Sequence, residues 1–172
     1  SSSGVFLSTN NGTSWTQVNT GLTNTDVLCL AVSGTNIFAG TSGGGAYRLI
    51  NNGTTWIQVN SGLTNMTVES FAVNGTNLFA GTYGGGVFLS TNNGTSWTAV
   101  NSGLPSTGVF ALAVSRTDLF AGTHRGGVFL STNNGTSWTP VNAGLTSPTV
   151  QAFMVSGTNL FAGTRGGGVF LS

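Results

Sequence analysis

Apolar and polar positions along this chain alternate in short runs, each ending in Gly, Asn, Ser or Thr, which is the pattern of strands joined by tight turns. No stretch shows the three-and-four spacing of a helix. Four kinds of run recur. The first is Val5-Phe6-Leu7, which returns as Ala46-Tyr47-Arg48, Val87-Phe88-Leu89, Val128-Phe129-Leu130 and Val169-Phe170-Leu171. The second is Ser14 to Val18, where Trp15, Gln17 and their neighbours alternate faces. The third is Val27 to Val32, repeated at Val68 to Val73, Val109 to Val114 and Val150 to Val155. The fourth is Ile37 to Thr41, repeated at Leu78 to Thr82, Leu119 to Thr123 and Leu160 to Thr164.

One eight-residue stretch sets the spacing of all four. Ser8-Thr9-Asn10-Asn11-Gly12-Thr13-Ser14-Trp15 returns at Ser90 to Trp97, at Ser131 to Trp138 and, in altered form, at Leu49 to Trp56. Trp15, Trp56, Trp97 and Trp138 are each 41 residues apart, so the chain is four copies of one unit. Four strands per unit, with connections too short for crossover helices, predict a four-stranded antiparallel meander. A lone meander buries too little apolar surface to stand by itself, and radial stacking of such sheets as the blades of a β-propeller solves that problem. The predicted fold is therefore all-β, a β-propeller of four-stranded antiparallel blades with four 41-residue repeats forming a single domain over residues 1–172. A linear solenoid is the weaker alternative, because its coils are shorter and parallel.

Composition narrows the partners. Charged residues are 4% of the chain, there is no Lys, and the net charge is +1. That leaves no clustered basic surface for nucleic acid or an anionic membrane, and the apolar runs are too short to span a bilayer as helices. Nothing at Ser1 resembles a signal peptide, so the chain reads as a mature form or an excised segment. The low charge and the Thr, Asn and Gly richness favour an extracellular or cell-surface location. Cys29 is the single cysteine, with Ser70, Ala111 and Ala152 at the matching positions, which suggests a small buried site.

With the repeat laid out, the eight-residue stretch resembles the Asp-box, or BNR repeat, of pattern Ser/Thr-x-Asp-x-Gly-x-x-Trp. Ser8, Gly12 and Trp15 match it in position, as do Ser90, Gly94 and Trp97, and Ser131, Gly135 and Trp138; Gly53 and Trp56 keep the spacing behind Leu49. Asn10, Asn51, Asn92 and Asn133 stand where the pattern has Asp. Asn still hydrogen-bonds nearby backbone and tolerates left-handed dihedrals, so the turn is expected to survive without the charge. The resemblance implies that this box is a structural turn between the third and outermost strands of a blade, remote from the functional face. It also implies that Val27 to Val32 is innermost, Ile37 to Thr41 second and Val5 to Leu7 third. The family includes sialidases, other glycosidases, assembly factors and sortilin-like receptors, so it selects no activity.

The chemistry on offer is thin. A glycosidase needs two carboxylates flanking one bond, and the chain has Asp26, Glu69 and Asp118, the last in a Ser-Arg-Thr-Asp turn where other copies carry Gly and Asn. His124 is the only histidine, so neither a metal site nor a Cys/His nucleophile can be assembled by familiar spacing. No cofactor is expected. The Gly-Gly-Gly runs at Gly43, Gly84 and Gly166 read as hairpin turns rather than phosphate loops. Asn-Gly-Thr triplets at Asn11, Asn52, Asn74, Asn93 and Asn134 match the glycosylation sequon, yet Asn-Gly is first of all a turn dipeptide.

Where near-identical copies disagree, ligand-binding positions can be sought. After each Gly-Thr the copies read Ser42, Tyr83, His124 and Arg165, with Arg125 beside His124. Early in the innermost strand they read Leu28, Glu69, Phe110 and Gln151. Both sets are expected at the end of the blades that carries the interblade linkers. Tyr83, His124, Arg125, Arg165 and Glu69 are the candidate site, suited to a protein or glycan partner; neutral variation at exposed loops is the alternative.

The sequence thus reads as a non-catalytic scaffold or protein-interaction module. A lectin-like carbohydrate binder is the first alternative and a degenerate sialidase-like glycoside hydrolase the second. Five copies of the third strand against four of each other strand suggest strand-swapped closure at the termini. Two chains closing an eight-bladed ring, a homo-oligomer, is favoured over one chain closing four blades.

Overall fold

The computed structural model describes residues 3–50, 53–105 and 108–172. Among them are seventeen strands and no helix. β1 (Phe6–Leu7) and β2 (Thr16–Gln17) form a two-stranded ribbon. Three four-stranded sheets follow. The first holds β3 (Val27–Ser33), β4 (Asn36–Thr41), β5 (Gly45–Ile50) and β6 (Thr55–Gln58); the second holds β7 (Val68–Asn74), β8 (Asn77–Thr82), β9 (Gly86–Ser90) and β10 (Thr98–Ala99). The third holds β11 (Val109–Ser115), β12 (Asp118–Thr123), β13 (Val128–Ser131) and β14 (Thr139–Pro140). A last sheet of three comprises β15 (Val150–Ser156), β16 (Asn159–Thr164) and β17 (Gly168–Leu171).

Every pairing is antiparallel and every sheet is a meander in sequence order, as the short connections require. β3, β7, β11 and β15 pack side by side in that order, which makes the Val-rich third run innermost. β6, which contains Trp56, and β10 and β14, which follow Trp97 and Trp138, are outermost. The blades thus follow one another around a common inner edge, with β1 and β2 set against the first of them.

The Asn-containing boxes are turns between third and fourth strands. In the copy at Ser90, the Gly94 amide donates to Ser90 Oγ at 2.8 Å, and the Ser96 amide and Ser90 hydroxyl both donate to Asn92 Oδ1 at 2.9 Å. Asn92 Nδ2 in turn donates to Ser96 Oγ at 2.9 Å. The copies at Ser8 and Ser131 repeat these bonds. The amide oxygen of Asn therefore does the accepting that a carboxylate would do. Asn51 lies outside the described residues. Where Leu49 replaces the leading Ser, the ladder runs on through Leu49↔Trp56 and Ile50↔Thr55, and the Gly53 and Thr54 amides both donate to the Ile50 carbonyl at 3.2 Å. Leu49 has no hydroxyl to accept the bonds that Ser90 and Ser131 accept, and here the strand pairing itself extends to Ile50↔Thr55.

Blade joins blade through tryptophan. Trp56, Trp97 and Trp138 are 2%, 4% and 3% exposed, and each donates its indole N–H to a carbonyl one repeat upstream: Val18 and Val59 at 2.7 Å, Val100 at 2.8 Å. Their backbone amides donate to the Thr20, Ser61 and Ser102 carbonyls. Backbone approaches so closely there that a Cβ on Gly62 or Gly103 would collide with the carbonyl oxygen of Trp97 or Trp138, which explains Gly in the Gly-Leu linker. Around Trp97 the core gathers Phe38, Val59, Leu63, Leu78 and Phe88 from two successive sheets, with Phe71 stacked on the indole at 6.3 Å. Trp15 differs: it is 63% exposed.

Candidate functional site

The inner strands share one irregularity. Val27 lies opposite Thr41 and Cys29 opposite Gly40, so Leu28 has no partner across the ladder. The same slip isolates Glu69, Phe110 and Gln151 in β7, β11 and β15. A bulge of this kind re-aims the extra side chain away from the regular alternation. Here all four bulged residues, together with Tyr83, line one pocket of about 340 Å³ where the inner strands begin. The inner-strand position at which the repeats differ in both size and charge is the position that the bulge presents to this mouth.

The loops between second and third strands reach the same end, because Thr41, Thr82, Thr123 and Thr164 pair with the first residues of the inner strands. Each variable loop residue is tethered by its amide to the backbone just before the neighbouring inner strand: Ser42 to the Asp26 carbonyl, Tyr83 to Thr67, His124 to Gly108 and Arg165 to Thr149, at 2.9 to 3.0 Å. The tethers fix an aromatic row. Tyr83 stacks on Phe110 with ring centroids 5.9 Å apart and planes inclined by 26°, and Phe110 meets His124 at 5.2 Å and 49°. Thr149 Oγ1 donates to the His124 carbonyl at 2.7 Å and fixes the end of the row. Tyr83 is 55% exposed, so the row offers a ring face to solvent.

Partial burial pushes the Glu69 carboxyl above its ordinary pKa. Beneath the mouth, Cys29 donates to the Val68 carbonyl at 3.6 Å. Burial drives its thiol pKa up to about 12, with the Gly40 backbone bond acting in the opposite direction and the Glu69 charge adding to the rise. Such a thiol is a packing group and not a nucleophile.

The five sequence candidates are therefore placed differently. Glu69 and Tyr83 line the mouth and His124 joins it through Phe110. Arg125 and Arg165 are exposed on the same loops and are not among the lining residues. Phe110 links the row, and Leu28 and Gln151 complete the lining; their signal was the disagreement between copies, which a search for charge underweights. Asp26 is exposed just before β3, and Asp118 opens β12 at the opposite end of its blade, paired with Ser115. Among the described residues, no three His, Cys, Asp or Glu side chains group as metal ligands, and no helix is long and apolar enough to cross a membrane.

Comparison with known structures places this geometry. The computationally designed Ika4 protein superposes with a TM-score of 0.70 at 16% identity, over 88% of this chain and 92% of that one. The extracellular domain of the B. thetaiotaomicron protein BT4673 gives 0.75 at 19% identity, and the GH74 enzyme of Niastella koreensis 0.70 at 24%. The alignments cover 92% and 99% of this chain but only 23% and 27% of those two, so the chain spans about a quarter of their length. At these identities the likeness is one of fold. No curated protein sequence matches. The family model described as the DUF6242 beta propeller domain matches residues 1–119, and the chain belongs to that β-propeller family.

Proposed function

We propose that this chain is a non-catalytic β-propeller module that binds a partner at the bulge-lined mouth, while the Asn-boxes at the other end serve as the turns that Asp-boxes provide. The observation that carries this reading is the convergence of Leu28, Glu69, Phe110 and Gln151, the one inner-strand position where the copies differ in size and charge, on a single pocket. A rigid scaffold with varied side chains at one mouth is the arrangement by which repeat folds recognise partners. Asp118 stands at the far end of its blade from Glu69, and Asp26 and Glu69 belong to different repeats, which supports the non-catalytic reading. An extracellular setting is part of the proposal, supported by the low charge and by likeness to extracellular domains.

A lectin-like role is the second reading. The exposed face of Tyr83, backed by Phe110 and His124 and flanked by the Glu69 carboxylate and the Gln151 amide, combines an apolar ring with hydrogen-bonding groups as a sugar face requires. A glycan array and a displayed peptide library, screened with the wild type and with Tyr83→Ala and Phe110→Ala, test both readings. Ligands bound by the wild type and lost in both variants support the mouth. Ligands retained by both contradict it, and glycan-only or peptide-only hits decide the class.

A further inference from the structure

We infer that the mouth takes an organic ammonium group, held by the Glu69 carboxylate and the rings of Tyr83 and Phe110. The inference rests on the mouth as the recognition site and names the chemistry that the site accepts.

The strands themselves bring the three residues together. Glu69 is the bulged residue that follows Val68, and Val68 stands opposite Thr82, the residue before Tyr83. The Tyr83 amide donates to the Thr67 carbonyl at 3.0 Å, so carboxylate and phenol ring are anchored to one short stretch of backbone. Phe110 occupies the bulge of the next inner strand, β11, and Tyr83 stacks on it with ring centroids 5.9 Å apart. β7 packs between β3 and β11, and β11 between β7 and β15, so this corner has a neighbouring inner strand on either side.

The corner lacks a counter-charge. Glu69 is partly buried, burial alone raises its pKa, and no cation acts to lower it. Arg125 and Arg165 are exposed on loops at the same end, yet neither lines the pocket. The other lining side chains, Leu28 and Gln151, carry no charge. A carboxylate drawn out of bulk water without a partner is a costly arrangement, and a cation entering the pocket offsets that cost.

The rings act in the same direction. The face of an aromatic ring is electron-rich and attracts a cation that comes within about 6 Å of its centroid. Tyr83 turns one face to Phe110 and is 55% exposed, so ring surface stays open to a ligand. An anion would meet the Glu69 charge, and a neutral group would leave the carboxylate without a counter-ion. An ammonium satisfies the carboxylate and both rings together. A pocket of about 340 Å³ holds a trimethylammonium head group or the end of a lysine side chain.

NMR titration of the labelled protein with choline tests this, alongside neohexyl alcohol, in which a tert-butyl group replaces the trimethylammonium of choline. Choline is expected to shift the amides of Glu69, Tyr83 and Phe110 and to bind at least about fivefold more tightly than its neutral isostere. Glu69→Gln, which removes the charge and keeps the shape, is expected to weaken choline about tenfold. Tyr83→Ala is expected to weaken it about fivefold, and Tyr83→Phe to leave it nearly unchanged. N-acetyl-lysine methylamide separates the sources of the ammonium: equal binding points to a lysine of a protein partner, and failure to bind beside choline points to a quaternary head group. Equal binding of choline and its isostere overturns the inference, as does full affinity in Glu69→Gln, a preference for acetate, or a mouth that no ammonium probe shifts. If a ligand from the glycan or peptide screen then still shifts Glu69 and Tyr83, the mouth stands as the recognition site and its ammonium chemistry falls. If no ligand shifts them, both fall.

Discussion

Trp97 donates its indole N–H to the carbonyl oxygen of Val59 at 2.7 Å, 38 residues upstream and one blade away. The bond is buried, the ring fills the space between two sheets, and the same contact recurs at Trp56 and Trp138. Truncation to Ala leaves an indole-sized cavity and an unpaired carbonyl, and Trp97→Ala is expected to cost about 3–5 kcal/mol. Trp97→Phe keeps most of the apolar fill and is expected to cost about 1–3 kcal/mol through the unpaired carbonyl. Denaturant unfolding of both measures the difference, and an unchanged midpoint for Trp97→Ala would refute the socket.

Arg116 sits at φ 59 in the β11–β12 hairpin, where the other three copies have Gly34, Gly75 and Gly157 at φ 60 to 62. A left-handed backbone costs a residue with a Cβ roughly 1–2 kcal/mol. Arg116→Gly is expected to raise stability by about 1 kcal/mol, somewhat less than the full strain because Gly also gains freedom when unfolded. Thermal unfolding reads the sign.

Asn92 accepts from the Ser96 amide and the Ser90 hydroxyl. Asn92→Ala removes both acceptors at once and is expected to cost about 1–2 kcal/mol. Asn92→Asp keeps both, and the Ser96 hydroxyl can turn to donate to the carboxylate, so its cost is expected to stay within about 0.5 kcal/mol of zero. If Asp proves as costly as Ala, the amide has a role that the Asp-box comparison misses.

Glu69 has a folded-state pKa above its unfolded value because burial penalises the carboxylate. The folded state therefore binds the proton more tightly, so the contribution to stability is full below the unfolded pKa of 4.5 and is lost as pH rises through the folded value. Glu69→Gln is expected to remove that pH dependence, being relatively more stable than the wild type at neutral pH than at pH 4. Unfolding curves across this range test it.

Cys29, its pKa raised to about 12, is expected to resist thiol reagents in the folded protein at pH 8 and to react at once in denaturant. The sign of its linkage is the same: stability is full below the unfolded pKa of 9.0 and falls above it. Rapid labelling of the native protein would show that the strand carrying Cys29 opens.

The 41-residue tryptophan spacing made the meander legible, because one geometry repeated four times leaves one register that buries the apolar face. The strand order and the turn role of the Asn-boxes came from the resemblance to the Asp-box. Two things were not legible. The bulge at Leu28 adds a residue without changing the repeat length, so nothing marks it except that its occupants vary. The exposure of Trp15 depends on what stands before it in space, and its own sequence copies Trp97. Charge drew attention to Arg125 and Arg165, while the residue that organises the mouth is the uncharged Phe110, through its contacts with Tyr83 and His124.

The most direct measurement is an NMR titration of the labelled protein with a ligand taken from the glycan or peptide screen. Shift changes are expected at Glu69, Tyr83, Phe110, His124 and Gln151, with the boxes around Asn92 and Asn133 unmoved. Changes centred on those boxes, with the mouth silent, would contradict recognition at the bulged end.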